Sequence, residues 1–141
     1  FTNTYPNSKR VSECNDLIDQ LRLKLELKDY KIAKMYYRME DFAAAIQMFN
    51  NILKDFPDSP HREEIMFLIV KAYYRFAIES ITEKQKQRHS KAMEAFTEFK
   101  TQYPASAYLP EAQEMNQKTK AELDALILRE QNKIDKQIIK Q

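Results

Sequence analysis

Residues 32–59 read IAKMYYRMEDFAAAIQMFNNILKDFPDS, and this stretch decides the fold. Ile32, Ala33 and Tyr36 fall at helical spacing, and Ala45, Ile46, Phe49, Ile52 and Leu53 do so again on the far side of Asp41. Asp41 stands where a helix N-cap is wanted, and Pro57 stands where a helix must stop. The stretch therefore reads as two helices joined by a tight turn. The whole chain of 141 residues contains no glycine, where average usage is about 7%. Phosphate-cradling loops need glycine for close backbone approach, and two-residue hairpins mostly need it for positive φ. Nucleotide enzymes of those types and hairpin-rich β folds are excluded together, and no stretch reads as a strand.

Working outward, the end of this stretch recurs. Tyr5-Pro6-Asn7-Ser8, Phe56-Pro57-Asp58-Ser59 and Tyr103-Pro104-Ala105-Ser106 each read aromatic-Pro-x-Ser, at intervals of about fifty residues. Proline ends a helix and serine is a good N-cap, so each is a punctuation mark between helical units. Ala45-x-x-x-Phe49 and Ala92-x-x-x-Phe96 sit at the same distance before the second and third marks, and Ile32-Ala33-x-x-Tyr36 is paralleled by Ile69-Val70-x-x-Tyr73. The set Ile32, Ala33, Tyr36, Phe42, Ala45, Phe49, Pro57 resembles the tetratricopeptide (TPR) pattern of L-G-x2-Y, A-x3-F and P. Asp29 and Met66 replace the usual Trp, and Val70 replaces the small residue of that pattern.

The predicted elements are a long helix over 11–40, a return helix over 42–56, a second pair over 62–81 and 91–103, and a last helix starting at Pro110 and running through Met115, Leu123 and Leu126 towards Ile138. Between the second pair, Ser80 to Ser90 reads as an inserted polar loop. The first helix is apolar on two faces, with Val11, Cys14, Ile18, Leu21 and Leu25 on one stripe and Leu23, Leu27, Tyr30 and Tyr37 on another, as expected where neighbours pack on both sides. The expected fold is all-α: a TPR-like array of antiparallel helix pairs, a right-handed α-solenoid with a C-terminal capping helix. It reads as a single helical domain over 1–141, part of a longer chain, with repeat ends near Ser8, Ser59 and Ser106.

Composition narrows function. A net charge of +2 is too balanced for a nucleic-acid binder that must neutralise many phosphates. One cysteine makes no internal disulfide, and no apolar run approaches the length of a membrane span. His61 and His89 lack His or Cys partners at metal-ligand spacing. Cys14 on the apolar stripe reads as a buried structural thiol, and Glu63-Glu64 and Glu40-Asp41 read as solvated helix-end charge. No catalytic, cofactor or metal site is expected, so the chain reads as a non-enzyme.

The informative constellation repeats. Tyr30, Lys34, Tyr37 and Arg38 are followed, thirty-seven residues on, by Phe67, Lys71, Tyr74 and Arg75. In TPR proteins these positions line the concave groove, where aromatic area and cations meet a partner segment. The other reading is packing between successive repeats for Tyr30, Tyr37, Phe67 and Tyr74, and a solvated face for Lys34, Arg38, Lys71 and Arg75. The third unit keeps only Lys118, with Glu114 in the aromatic place.

Tyr5-Pro-Asn-Ser8, Ala33-Lys-Met-Tyr-Tyr37, Ala44-Ala-Ile-Gln-Met-Phe49 and Phe56-Pro-Asp-Ser59, with the long first helix, resemble the YfiO (BamD) family of TPR lipoproteins of the outer-membrane β-barrel assembly machinery. The resemblance covers nearly the whole chain. It implies a scaffold lipid-anchored, through an upstream cysteine, at the periplasmic face of the bacterial outer membrane. Its implied partners are the barrel-forming subunit, other lipoprotein subunits and unfolded outer-membrane proteins. The alternative is another TPR adaptor, periplasmic or cytoplasmic, that binds a peptide segment of a protein partner.

Overall fold

The computed structural model describes residues 9–141, so the first aromatic-Pro-x-Ser mark, with the boundary at Ser8, lies outside the described residues. Five helices follow one another: α1 Lys9–Arg38, α2 Phe42–Asp55, α3 Arg62–Ile78, α4 Thr82–Gln102 and α5 Leu109–Ile139. No strand occurs among the described residues. Each helix packs on the next in the chain, and α3 also meets α5, which is the neighbour pattern of a TPR-like array of helix pairs.

Local chemistry explains the boundaries. Asp41 caps α2, its Oδ1 accepting from the Ala44 N–H at 3.2 Å. Just before it, Glu40 adopts φ 62°. The Asp41 N–H bonds the Tyr36 carbonyl and the Glu40 N–H bonds that of Tyr37, a Schellman ending for α1 at a position that normally carries glycine. A glycine-free chain places a Cβ there instead. We expect Glu40→Gly to stabilise the fold by about 1 kcal/mol by relieving this left-handed residue. The Arg75–Glu40 ion pair that it removes is exposed and contributes less. A thermal melt showing a lower midpoint for the variant would contradict this.

The core forms where pairs meet. Tyr30, Ala33, Ala45, Phe49, Ile52, Ile65 and Ile69 join α1, α2 and α3, and Met66, Phe67, Val70, Phe96, Phe99, Ala112 and Met115 join α3, α4 and α5. Phe49 and Phe96, the phenylalanines of the two A-x3-F matches, are both buried.

Two expectations are corrected. Residues 80–90 are not a loop: α3 continues three residues past the position equivalent to the end of α1, and α4 has 21 residues against 14 in α2. The ten extra residues therefore lengthen helices and leave a turn as short as that between α1 and α2. The segment contains neither Gly nor Pro, and its Lys, Gln and Arg are good helix formers, so nothing stops α4. Arg88 lies over the Phe76 ring, 3.8 Å from its centroid, and donates to Ser80 Oγ, while Lys86 pairs with Glu130 at 3.1 Å. Second, Cys14 is exposed rather than buried. Its stripe exists, but Ile18, Leu21 and Leu25 are also more than half exposed, because α2 meets only the later part of α1.

His89, read as part of that loop, is buried at 2% exposure, and its Nδ1 has no hydrogen-bond partner among the described residues. Burial holds its imidazole below the usual pKa, against a weaker opposing pull from Glu122. The unfolded chain thus takes up this proton more readily, so stability contributed by neutral His89 is full above the ordinary value of 6.5 and falls as pH drops below it. Melting temperatures measured from pH 7.5 to 5.5 should fall less steeply for His89→Gln than for the parent. Parallel profiles would rule out His89 as the source.

Candidate partner-binding site

Two consecutive repeats build the same junction. After α2, the Phe56 N–H bonds Ile52 O, the Ser59 N–H bonds Phe56 O, and Ser59 Oγ accepts from the His61 N–H at 3.0 Å. After α4, the Tyr103 N–H bonds Phe99 O, the Ser106 N–H bonds Tyr103 O, and Ser106 Oγ accepts from the Tyr108 N–H at 3.1 Å. Each serine therefore closes a turn just ahead of the next helix, holding the backbone of the residue that follows by two positions. That residue is a ring in both cases, and the turn aims it back at the preceding repeat.

The rings land on the first members of the repeated constellation. His61 stacks on Tyr30, with centroids 4.3 Å apart and planes at 18°, and Tyr108 stacks on Phe67 at 4.7 Å and 12°. On each stack sits a lysine: Lys34 Nζ is 5.1 Å from the Tyr30 centroid and Lys71 Nζ is 5.5 Å from that of Phe67. Each lysine then reaches an acid in the first turn of the next repeat, Lys34 to Glu64 at 3.4 Å and Lys71 to Glu111 at 3.2 Å. Burial, together with the neighbouring Glu64, raises the Tyr30 pKa far above its ordinary value. Burial also pushes Glu64 upward, but hydrogen bonding from Tyr30 and the charge of Lys34 outweigh it and hold that carboxyl low.

This places the eight candidate residues. Tyr30 and Phe67 are 7% and 4% exposed, packed between repeats. Lys34 and Lys71 keep about a third of their side-chain surface in water while paired. Tyr37 is half-buried, edge-on to Phe42 at 5.6 Å, and Tyr74 is half-buried against the α3–α5 cluster. Arg75 lies over the Phe42 ring at 5.2 Å and pairs with Glu40 and Glu79 at 3.0 Å each. Arg38 alone of the eight is exposed and has no ion pair among the described residues. On α5 the aromatic place is taken by Glu114, bonded to Lys118 at 2.9 Å, so the stack is replaced by a surface ion pair.

One group escaped the sequence reading. Glu26 is 4% exposed, and its Oε1 accepts from Ser59 Oγ and lies 3.0 Å from His61 Nδ1. It thus fastens α1 to the turn before α3 beneath the Tyr30–His61 stack. The signal was present: Glu63 follows Glu26 at the same thirty-seven-residue offset as the aromatics and cations. His61 is a packing and hydrogen-bonding partner here, in a place where Tyr108 serves the next repeat without ionisable nitrogen.

The described residues hold no group of three or more His, Cys, Asp or Glu able to bind a metal ion, and no helix among them is long and apolar enough to cross a membrane. What the repeated junction offers is a row of lysine, tyrosine and arginine side chains on α1 and α3, half-exposed except for the exposed Arg38, with Lys34 and Lys71 placed over the ring stacks. No curated protein matches the chain. A family model described as YfiO, outer membrane lipoprotein, matches residues 1–88, which take in α1, α2, α3 and the start of α4. The matched part thus contains the whole of the first junction and all eight candidate residues, and the chain belongs to the YfiO family of outer membrane lipoproteins.

Proposed function

We propose that this chain is a non-enzymatic scaffold of the outer-membrane β-barrel assembly complex, working at the periplasmic face of that membrane. It holds the periplasmic domains of the barrel-forming subunit and other lipoprotein subunits through its TPR surfaces, and receives unfolded barrel proteins. Membership of the outer membrane lipoprotein family is the observation that carries this reading. The architecture supports it: stacked pairs with side chains locked at each junction present a preorganised surface, which lowers the ordering cost of binding a folded domain. The contact is assigned to half-exposed Lys34, Tyr37, Lys71, Tyr74 and Arg75 and exposed Arg38, with Tyr30 and Phe67 as the buried floor.

Purified periplasmic domains of the barrel-forming subunit, titrated against the full-length protein, test the assignment. Tyr37→Ala with Arg38→Glu should weaken binding by about tenfold, equivalent to ~1.4 kcal/mol. Because Tyr37 also packs on Phe42, Arg38→Glu alone should retain the helical circular dichroism and melting temperature of the parent while still losing affinity. Unchanged affinity in both folded variants would remove the row from the contact.

A further inference from the structure

Two of the eight candidates, Lys34 and Arg38, also belong to a second regular row that runs along α1. Lys24, Leu27, Lys31, Lys34 and Arg38 fall at intervals of three and four residues, the spacing of the seam along which one helix packs on another. Lys24, Lys31 and Arg38 are exposed, and none has an ion pair among the described residues. Leu27 is 41% exposed between Lys24 and Lys31, and Lys34 already shares Glu64. On α3 the places equivalent to Leu27 and Lys31 hold Glu64 and Leu68, so this cationic row belongs to α1 and is not a general property of the repeats.

We propose that this seam of α1 docks an acidic amphipathic helix of a partner protein, with carboxylates one heptad apart opposite Lys24, Lys31 and Arg38 and an apolar residue over Leu27. The inference rests on the reading of the chain as a protein-binding scaffold and names the chemistry of one partner. The sign of the row selects an acid. Its spacing selects a helix: the three cations stand about 10.5 Å apart along the axis, the rise of seven helical residues. Side chains on one face of an extended strand recur every ~6.7 Å and fall out of step. A second copy of the same seam is disfavoured, since four of its five positions are cationic and would face like charge.

The probe is a synthetic, end-capped 21-residue helical peptide with Glu at each a position and Leu at each d position. A shuffled peptide of the same composition and vesicles of phosphatidylglycerol serve as references. Titrated into the full-length protein at fixed salt, the heptad peptide should bind at least tenfold tighter than the shuffled one. Lys24→Glu with Lys31→Glu should abolish that preference, and a peptide with Lys at the a positions should then bind the variant instead. These exposed substitutions leave the core untouched, which a thermal melt verifies. Equal binding of both acidic peptides, or an unchanged affinity in the folded variant, overturns the proposal. So does a result in which the two lysines govern attachment to the anionic vesicles but not to the peptide. Binding of the barrel-forming subunit's domains is measured separately, so the seam can fail while the scaffold reading stands.

Discussion

Phe49→Ala should destabilise the protein by about 3–5 kcal/mol, the cost of emptying a fully buried phenylalanine site. Phe49 has no exposed surface and lies in the cluster that joins α1 through Tyr30 and Ala33, α2 through Ala45 and Ile52, and α3 through Ile65 and Ile69. The cavity would open at the meeting point of three helices, where none can close it without leaving its other neighbours. Against a total stability of about 5–15 kcal/mol for a typical domain, that is a large share. Ile134→Ala is the internal control: Ile134 is 50% exposed on the outer part of α5, and its truncation should fall within about 0.5 kcal/mol of the parent. Urea titrations followed by helical circular dichroism separate the two. Similar midpoints for both variants would mean that the helices are not joined through this cluster.

The second large effect is expected at Glu26. Glu26→Ala should cost about 1–3 kcal/mol, because Ser59 Oγ and His61 Nδ1 lose a shared acceptor in a place where Ser59 is itself buried. Glu26→Gln keeps a carbonyl oxygen in that place and should cost less. The diagnostic quantity is the coupling in a double-mutant cycle of Glu26→Ala and Ser59→Ala. Residues sharing one hydrogen-bond network usually couple by about 0.5–3 kcal/mol, whereas independent sites add. Strict additivity would show that the carboxylate does not hold the junction in solution.

The parts legible in the sequence were those written in periodic apolar residues and in proline. Ala45, Ile46, Phe49 and Ile52 face inward as their spacing implied, and Phe56-Pro57 and Tyr103-Pro104 end helices at Asp55 and Gln102. What misled was composition standing in for conformation. Residues 84–89 are polar, yet polarity without a breaker is compatible with helix, and α4 runs through them. Cys14 showed the opposite failure: spacing identifies an apolar face but not the element that covers it, and Cys14, Ile18, Leu21 and Leu25 are exposed while Val11 on the same stripe is buried. At the candidate site, Tyr30 and Phe67 could not be divided between groove and packing from one strand of sequence. Their partners, His61 and Tyr108, sit thirty-one and forty-one residues later and reach them only through the serine turns. Glu26 recurs as Glu63 in the sequence, but its role was hidden for the same reason, since both of its partners lie across the junction.

The central claim is that these repeats hold an assembly machine together, and the most direct measurement is recovery of what they hold. The full-length, natively processed protein should be isolated from detergent-solubilised membranes and its co-eluting subunits identified by mass spectrometry. The account predicts stoichiometric recovery of a large β-barrel protein bearing repeated periplasmic domains, reduced when the bait carries Arg38→Glu. Recovery of soluble partners alone, with no barrel protein, would contradict it and leave the chain a TPR adaptor of another kind.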